Sequence, residues 1–398
     1  MHEEPFRLGR EFFQDPHATY RDLLTEGRVR YASLSSAFGF WLVTRYADAK
    51  ALLSDPRLSK DSTRAKELFA DGAGQVYGLD LFAHMLQTDP PDHTRLRRLV
   101  NKAFTNRAVA GLRPRIEQIT DSLLDDLAAV GRADLIESFA SPLPIAVICE
   151  ILGVPADDQA KFRSWVIPFV AAASPDDVRT ADEEMRAYLT ALIAEKRSEP
   201  TKDLLSDLVH VSDQGDQLSG PELLSMAFLL LVAGYETTVN LIGNGVLALL
   251  RHPDRLTALR SDPSLLPEAV EEFLRYDGSL NLATLRFTTE PVRVDEVEIP
   301  AGEFVLISLL AANRDPRQFP DPDRFDITRG TGGGHLAFGH GIHYCVGAPL
   351  ARLEAQVAIG RLLDKFGAIE LDGDPADLRW RRSPVMHGLE RLPIRVGS

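Results

Sequence analysis

The sequence predicts a mainly helical protein with a smaller β-rich portion, folded as one domain over residues 1–398. Three observations lead there. Leu223 to Leu250 is an almost continuous apolar run, the length of a long central helix. Helical spacing recurs over residues 11–27, 46–54, from 92 onward, across 113–198 and after Gly347. Strand-like alternation gathers in a few places, at 28–44, 281–309 and 378–396. No internal repeat or linker divides the chain.

Bulk properties narrow the class. Hydrophobic residues make up 44% and charged residues 26%. Both shares are ordinary for a globular protein able to enclose a cofactor. A net charge of −14 argues against nucleic acid as a partner. The two cysteines, Cys149 and Cys345, supply no disulfide framework, and Cys149 sits in the apolar run 145–149 as a core residue. The start, Met1-His2-Glu3-Glu4-Pro5, reads as neither signal peptide nor membrane anchor, so a reducing cytoplasm is expected. Residues 223–250 could span a bilayer by length, but Glu236, Asn240 and Asn244 would be costly in lipid. A core helix explains the same pattern.

Taken in order, residues 11–27 read as a helix, Arg28–Ala32 and Gly39–Thr44 as a hairpin, and Tyr46–Ser54 as a short helix. Pro56 to Gln87 reads as an irregular covering loop, with Asp71-Gly72-Ala73-Gly74 at its middle and disorder as the alternative. Prolines then end the loop, and Asp92 is placed to cap the next helix. That helix carries His93, Arg95, Arg97, Arg98 and Lys102, a basic cluster in an acidic chain. His93 and Arg97 share one face. From 113 to 198 the chain is helical, with breaks at Pro142, Pro144, Pro168 and Pro175, and Ser212–Asp216 is a turn. Asn281–Glu290, Val292–Val297 and Phe304–Leu309 read as strands, as does Leu378–Val396 around a turn at Met386-His387-Gly388.

Three patterns carry chemistry. In Ala233-Gly234-Tyr235-Glu236-Thr237-Thr238, an acid and an alcohol interrupt an apolar helix. Each would cost about 1–3 kcal/mol if buried unpaired. Thr237 could also bond back to a preceding carbonyl. Glu272 and Arg275 lie on one helix face and can pair, either as an ordinary surface pair or as something more. Phe338-Gly339-His340-Gly341-Ile342-His343-Tyr344-Cys345-Val346-Gly347, preceded by the Gly330–Gly334 tract, puts a cysteine in a tight loop just before a helix N-terminus. Backbone N–H groups and the helix dipole there favour a thiolate. With no zinc-spaced partners, that thiolate suits an axial haem ligand better than a buried turn.

Phe-x-x-Gly-x-x-x-Cys-x-Gly resembles the haem-ligand loop of cytochrome P450s. The other landmarks follow in family order across essentially the whole chain, including Ala312-Asn313-Arg314-Asp315-Pro316. The resemblance implies haem b between the central helix and the Cys345 loop, with Cys345 on the iron and Gly234 facing it from the other side. It implies Glu236 and Thr237 as a proton relay for oxygen activation, and His93, Arg97, Arg286 and His343 as propionate partners. Phe338 would shield the sulfur, and Gly341 and Gly347 would admit the backbone close to haem. Glu272, Arg275 and Arg324 would form a structural triad. Ala233, Leu282, Ala283, Thr284 and Met386 would line the pocket. Tyr235 stands where many bacterial relatives carry His.

The same resemblance implies a monooxygenase using O2, with NAD(P)H electrons delivered through a ferredoxin reductase and a ferredoxin, since no flavin region fits in the chain. Docking is expected at Arg95, Arg98, Lys102 and Arg352 of a monomer. The stretches 231–234, 237–242 and 338–343 resemble actinomycete P450s of macrolide and polyketide tailoring, which implies hydroxylation or epoxidation of such a product; a steroid or terpenoid is the alternative. A haem-thiolate sensor, an isomerase or a haem carrier would have no use for the Glu236–Thr237 pair.

Overall fold

The computed structural model describes residues 4–27, 29–35, 38–68, 81, 83–170, 174–213, 216–330 and 334–397. The Asp71–Gly74 stretch and the middle of the Gly330–Gly334 tract lie outside them. The central helix runs Gly220–Arg251. Ser219 caps it in a capping box with Glu222, and Pro221 sits in its first turn, where a missing N–H costs nothing. Among the described residues it is the one helix long and apolar enough for a bilayer, and 78% of its apolar window is buried inside the protein. It is therefore a core helix.

Helices Pro142–Ile151, Leu266–Asp277, Pro175–Ser198 and Ala348–Lys365 pack around it. The β-rich portion is a mixed six-stranded sheet in the order Phe6–Arg7, Val29–Ser35, Phe38–Val43, Phe304–Ile307, Arg286–Thr288, Leu58–Ser59. A smaller sheet joins Ala368–Leu371, Pro393–Gly397 and Arg132–Asp134.

Several expected elements shift. Residues 11–27 form two helices, because Asp15 accepts from the Ala18 amide at 3.0 Å and starts a second helix at Pro16. The expected irregular loop at 56–87 contains strand Leu58–Ser59 and helix Ser62–Leu68. Asp92 is the first helical residue and caps nothing with its side chain. Pro142 and Pro144 open a helix rather than break one. Most of 378–396 is not strand; only Pro393–Gly397 is.

The expected triad is also rearranged. Arg275 is fully buried and binds both oxygens of Glu272, Nε to Oε2 at 2.7 Å and Nη2 to Oε1 at 2.8 Å. This is the forked geometry in which a guanidinium meets a carboxylate best. Its remaining donors reach the carbonyls of Asn313, Pro322 and Arg324. Arg324 offers only that carbonyl; its side chain turns outward to Asp326. The third cation is Arg329, whose Nε lies 3.4 Å from Glu272 Oε1 and whose other nitrogens tie down Pro320, Asp321 and Arg324 carbonyls. Arg324 is too exposed to be held in this brace, and five residues further on the chain turns back with the right reach.

The C-terminal turn is pinned as well. His17 and His387 each donate to Asp277 Oδ1, at 2.9 and 2.7 Å. Asn244 of the central helix donates to the Asp277 and His387 carbonyls, both at 3.0 Å. At Gly388 any Cβ would overlap the Asn240 side-chain amide as it stands, so glycine lets the turn meet the helix with that side chain in place.

Removing Glu272 strands a buried guanidinium, so Glu272→Ala should cost about 3–5 kcal/mol in denaturant unfolding, with Arg329→Ala intermediate. Arg324→Ala should stay within about 0.5 kcal/mol of wild type.

Candidate active site

A large apolar cavity lies between the central helix and the 338–347 loop. Its upper wall is one helix face, Ala233, Gly234, Thr237, Thr238 and Leu241. Its floor is the loop, with Phe338, His343, Cys345 and Gly347. Cys345 is exposed where it lines this cavity.

Two anchors hold the loop. The Cys345 amide donates to the Phe338 carbonyl at 3.0 Å, closing the turn. Asn313 Oδ1, from the 312–316 landmark, accepts from the Leu336 amide at 2.6 Å. Gly341, at φ 74°, is not among the residues lining the cavity, and a Cβ there would meet Ser54 Oγ at 2.8 Å and the Leu53 carbonyl at 3.0 Å. Its role is to seat the loop against the Tyr46–Leu53 helix. Phe338 lies in the cavity wall with the Arg352 guanidinium 4.5 Å from its ring centre, close enough for a cation–π contact.

The thiol of Cys345 titrates above its ordinary value. Burial raises it more than the Gly347 and Ala348 amides, Arg97 and Arg352 lower it. The loop's N–H groups act in the expected direction, lowering the thiol pKa against burial, and a metal coordinated there would favour the thiolate further.

At one edge of the cavity stand His93, Arg97, Arg286 and His343. Both ring nitrogens of His93 are buried with no hydrogen-bond partner. Its ring centre is 4.3 Å from that of His343. Among the described residues buried Arg286 hydrogen-bonds the Thr284 carbonyl alone, at 3.1 Å, and burial lowers its pKa to about 10. Burial also lowers His93, Arg97 and His343. Four nitrogen-bearing side chains thus face inward with no carboxylate hydrogen-bonded to them among the described residues. A flat group bearing two carboxylates at one edge and a metal at its centre fits both this edge and Cys345.

The family model for cytochrome P450 matches residues 162–380. Cytochrome P450 107B1 of Saccharopolyspora erythraea is 54% identical over 97% of this chain and 96% of that protein. The 6-deoxyerythronolide B hydroxylase of the same organism is 46% identical over 89% of this chain and 90% of that protein. The tirandamycin C-bound P450 monooxygenase TamI superposes with a TM-score of 0.92 at 50% identity, over 99% of this chain and 100% of that one. The chain belongs to the cytochrome P450 family. It is a monooxygenase that uses haem b and O2, with electrons from NAD(P)H arriving through redox partners.

In this P450 the two relay candidates point apart. Thr237 Oγ1 faces the cavity and donates to the Ala233 carbonyl at 2.8 Å. That is the local bond a hydroxyl within a helix can make. Glu236, less than a third of a turn round the helix, is buried, with Oε1 accepting from Arg381 at 2.5 Å. Burial raises its pKa against the pull of Arg381 and Arg163. Tyr235 is buried and shares a 2.6 Å hydrogen bond with Ser141, a core contact.

Of the expected pocket residues, Ala233, Ala283 and Thr284 line the cavity. Leu282 does not: it is wholly buried in the core beneath the six-stranded sheet. Met386 stops one layer short, bridging to Leu280, which does line it. Of the docking candidates, Arg95 pairs with Asp216 and Glu222, and Arg352 binds both oxygens of Glu271 at 2.6 and 2.9 Å.

Sequence reasoning missed Glu354, Arg381 and Lys60. Glu354 could have been found, since it follows Leu350 by four on the buried face of the loop helix. It lines the cavity, its Oε2 has no partner, and burial raises its pKa well above the ordinary value. Arg381 and Lys60 meet their partners only through tertiary folding.

A raised carboxyl pKa stabilises the fold below the unfolded pKa and loses that contribution as pH rises toward the folded pKa. The thermal stability of the holoenzyme should therefore fall as pH rises above the ordinary carboxylate range in wild type, and Glu354→Gln should flatten that decline.

Proposed function

We propose that this P450 oxygenates a bulky, apolar natural product of the polyketide type, by hydroxylation or epoxidation. The observation that carries this is the cavity wall above Cys345, built from Leu229, Leu230, Leu241, Leu280 and Leu309 with few polar groups. Such a wall binds by apolar area and leaves orientation to shape. Relatives whose names specify 6-deoxyerythronolide B hydroxylation and tirandamycin C binding support the substrate class.

Haem held by Cys345 supplies the oxygen-activating chemistry, and the chain presents the substrate and moves protons. Thr237 Oγ1 is the hydroxyl at the cavity face, able to accept a proton while passing its own on. Glu236 has the proton affinity to act as its source once it parts from Arg381. A proton from the Glu236 carboxyl has to travel round the helix to reach Thr237, a path suited to water. Thr237→Ala should cut product formation by roughly a hundredfold. NAD(P)H oxidation should continue with peroxide released, and full coupling in that variant would remove Thr237 from the relay.

A spectral binding screen over macrolides, steroids and terpenoids, followed by mass detection of a product one oxygen heavier, tests the substrate class. Tight binding and turnover confined to steroids would sink the polyketide assignment. For the redox partner, Arg98 and Lys102 are exposed on the helix that also carries Arg97. We propose this exposed helix face as the docking surface for an acidic ferredoxin; Arg95 also pairs with Glu222, and Arg352 with Glu271. Lys102→Glu should slow reduction by ferredoxin most at low salt, where surface charges act at longest range.

A further inference from the structure

We propose that Lys60 is a further haem-propionate ligand, which fixes the edge of haem nearest the substrate side of the cavity. The inference rests on the haem seating already described, and it begins with where strand pairing puts this lysine. Strand Leu58–Ser59 pairs antiparallel with Arg286–Thr288, in the register Leu58 with Thr288 and Ser59 with Phe287. One residue on, that register sets Lys60 opposite Arg286. Like charges directly opposed across a pair of strands repel. Both are buried here, Lys60 at 2% exposure and Arg286 at 4%.

Asp89 offsets part of that repulsion by its charge, but among the described residues no carboxylate hydrogen-bonds the ammonium. Of the three ammonium donors of Lys60, one meets Thr284 Oγ1, a neutral acceptor. The carboxylate in the area, Asp89, is taken up by the backbone and a hydroxyl: its Oδ1 accepts the Lys60 amide at 3.0 Å and its Oδ2 accepts the Ser59 hydroxyl. That clamp fixes the Lys60 backbone without neutralising the ammonium by contact. The charge of Lys60 is felt by His93 and His343, and Lys60 in turn feels Arg286, so it belongs to the same inward-facing cluster. Burial and Arg286 both hold its own pKa well below the ordinary lysine value.

A buried ammonium is costly unless paired. Haem brings two carboxylates to this edge. With Arg97 and Arg286 as two cations, and His93 and His343 as hydrogen-bond donors, Lys60 is a third cation, and its remaining donors complete the set. Thr284 ties this cation to the cavity wall, because the residue that accepts from Lys60 also lines the cavity.

The test uses the holoenzyme. Lys60→Met removes the charge with little change in side-chain length, and Lys60→Arg keeps the charge. Lys60→Met should speed haem transfer to excess apomyoglobin by about tenfold, the loss of one charge-assisted hydrogen bond of about 1.5 kcal/mol. It should also shift the haem midpoint potential negative, since a cation near the propionates favours the reduced, less positive iron. Lys60→Arg should restore both. Unchanged transfer rate and unchanged potential in Lys60→Met overturn the proposal. So would a loss confined to spectral binding of myristic acid, a carboxylate probe, with haem retention intact; Lys60 would then read the substrate. If Lys60→Met accumulates too little protein, Lys60→Gln gives the same comparison. A fall in thermal stability with normal haem transfer and potential would mark a purely structural lysine and also overturn it.

Discussion

A cluster of basic groups at one edge of the cavity, only partly offset by the charge of Asp89, is the constraint around which the fold is organised. His93 is buried with both ring nitrogens unsatisfied, beside Arg286, Arg97 and Lys60. Among the described residues the carboxylate close by, Asp89, is occupied by backbone and hydroxyl donors. Such a cluster opposes folding until an anionic partner arrives. The remaining architecture holds this edge open and rigid. The sheet that places Arg286, the helix that carries His93 and Arg97, and the loop that carries His343 and Cys345 converge there from three separate parts of the chain. Cys345 obeys the same logic. Burial pushes its thiol up, and a metal coordinated there would offset that by stabilising the thiolate.

The parts legible in the sequence were those written locally. The loop from Phe338 to Gly347, the central helix and the apposition of His93 with Arg97 each depend on spacing within a few residues, so their placement could be read before any tertiary contact was known. Glu272 with Arg275 was legible for the same reason. What escaped was decided between distant segments. Arg329 and not Arg324 meets Glu272 because the chain turns back after Asp326, which no local pattern announces. Lys60 became a neighbour of Arg286 only through a two-residue strand inside what reads as a loop. Helical spacing puts Thr237 on the cavity face, and the same spacing turns Glu236, one residue away, elsewhere. The partner that Glu236 finds there, Arg381, lies 145 residues on.

That partnership has a consequence for how such an enzyme can diversify. The C-terminal segment supplies Arg381 to Glu236, the acid we propose for the relay, and a few residues later Met386 bridges Leu280 at the cavity wall. Gly388 and His387 lock the same segment to Asn240, Asn244 and Asp277. Reshaping this wall by altering the segment would therefore disturb the charge environment of Glu236 at the same time. Selection for a new substrate meets a restraint here that other lining residues, such as Leu229 and Leu230, do not impose. Innovation in substrate range is thus channelled toward surfaces that carry shape alone, while the segment that carries both shape and protons is held still by its double duty.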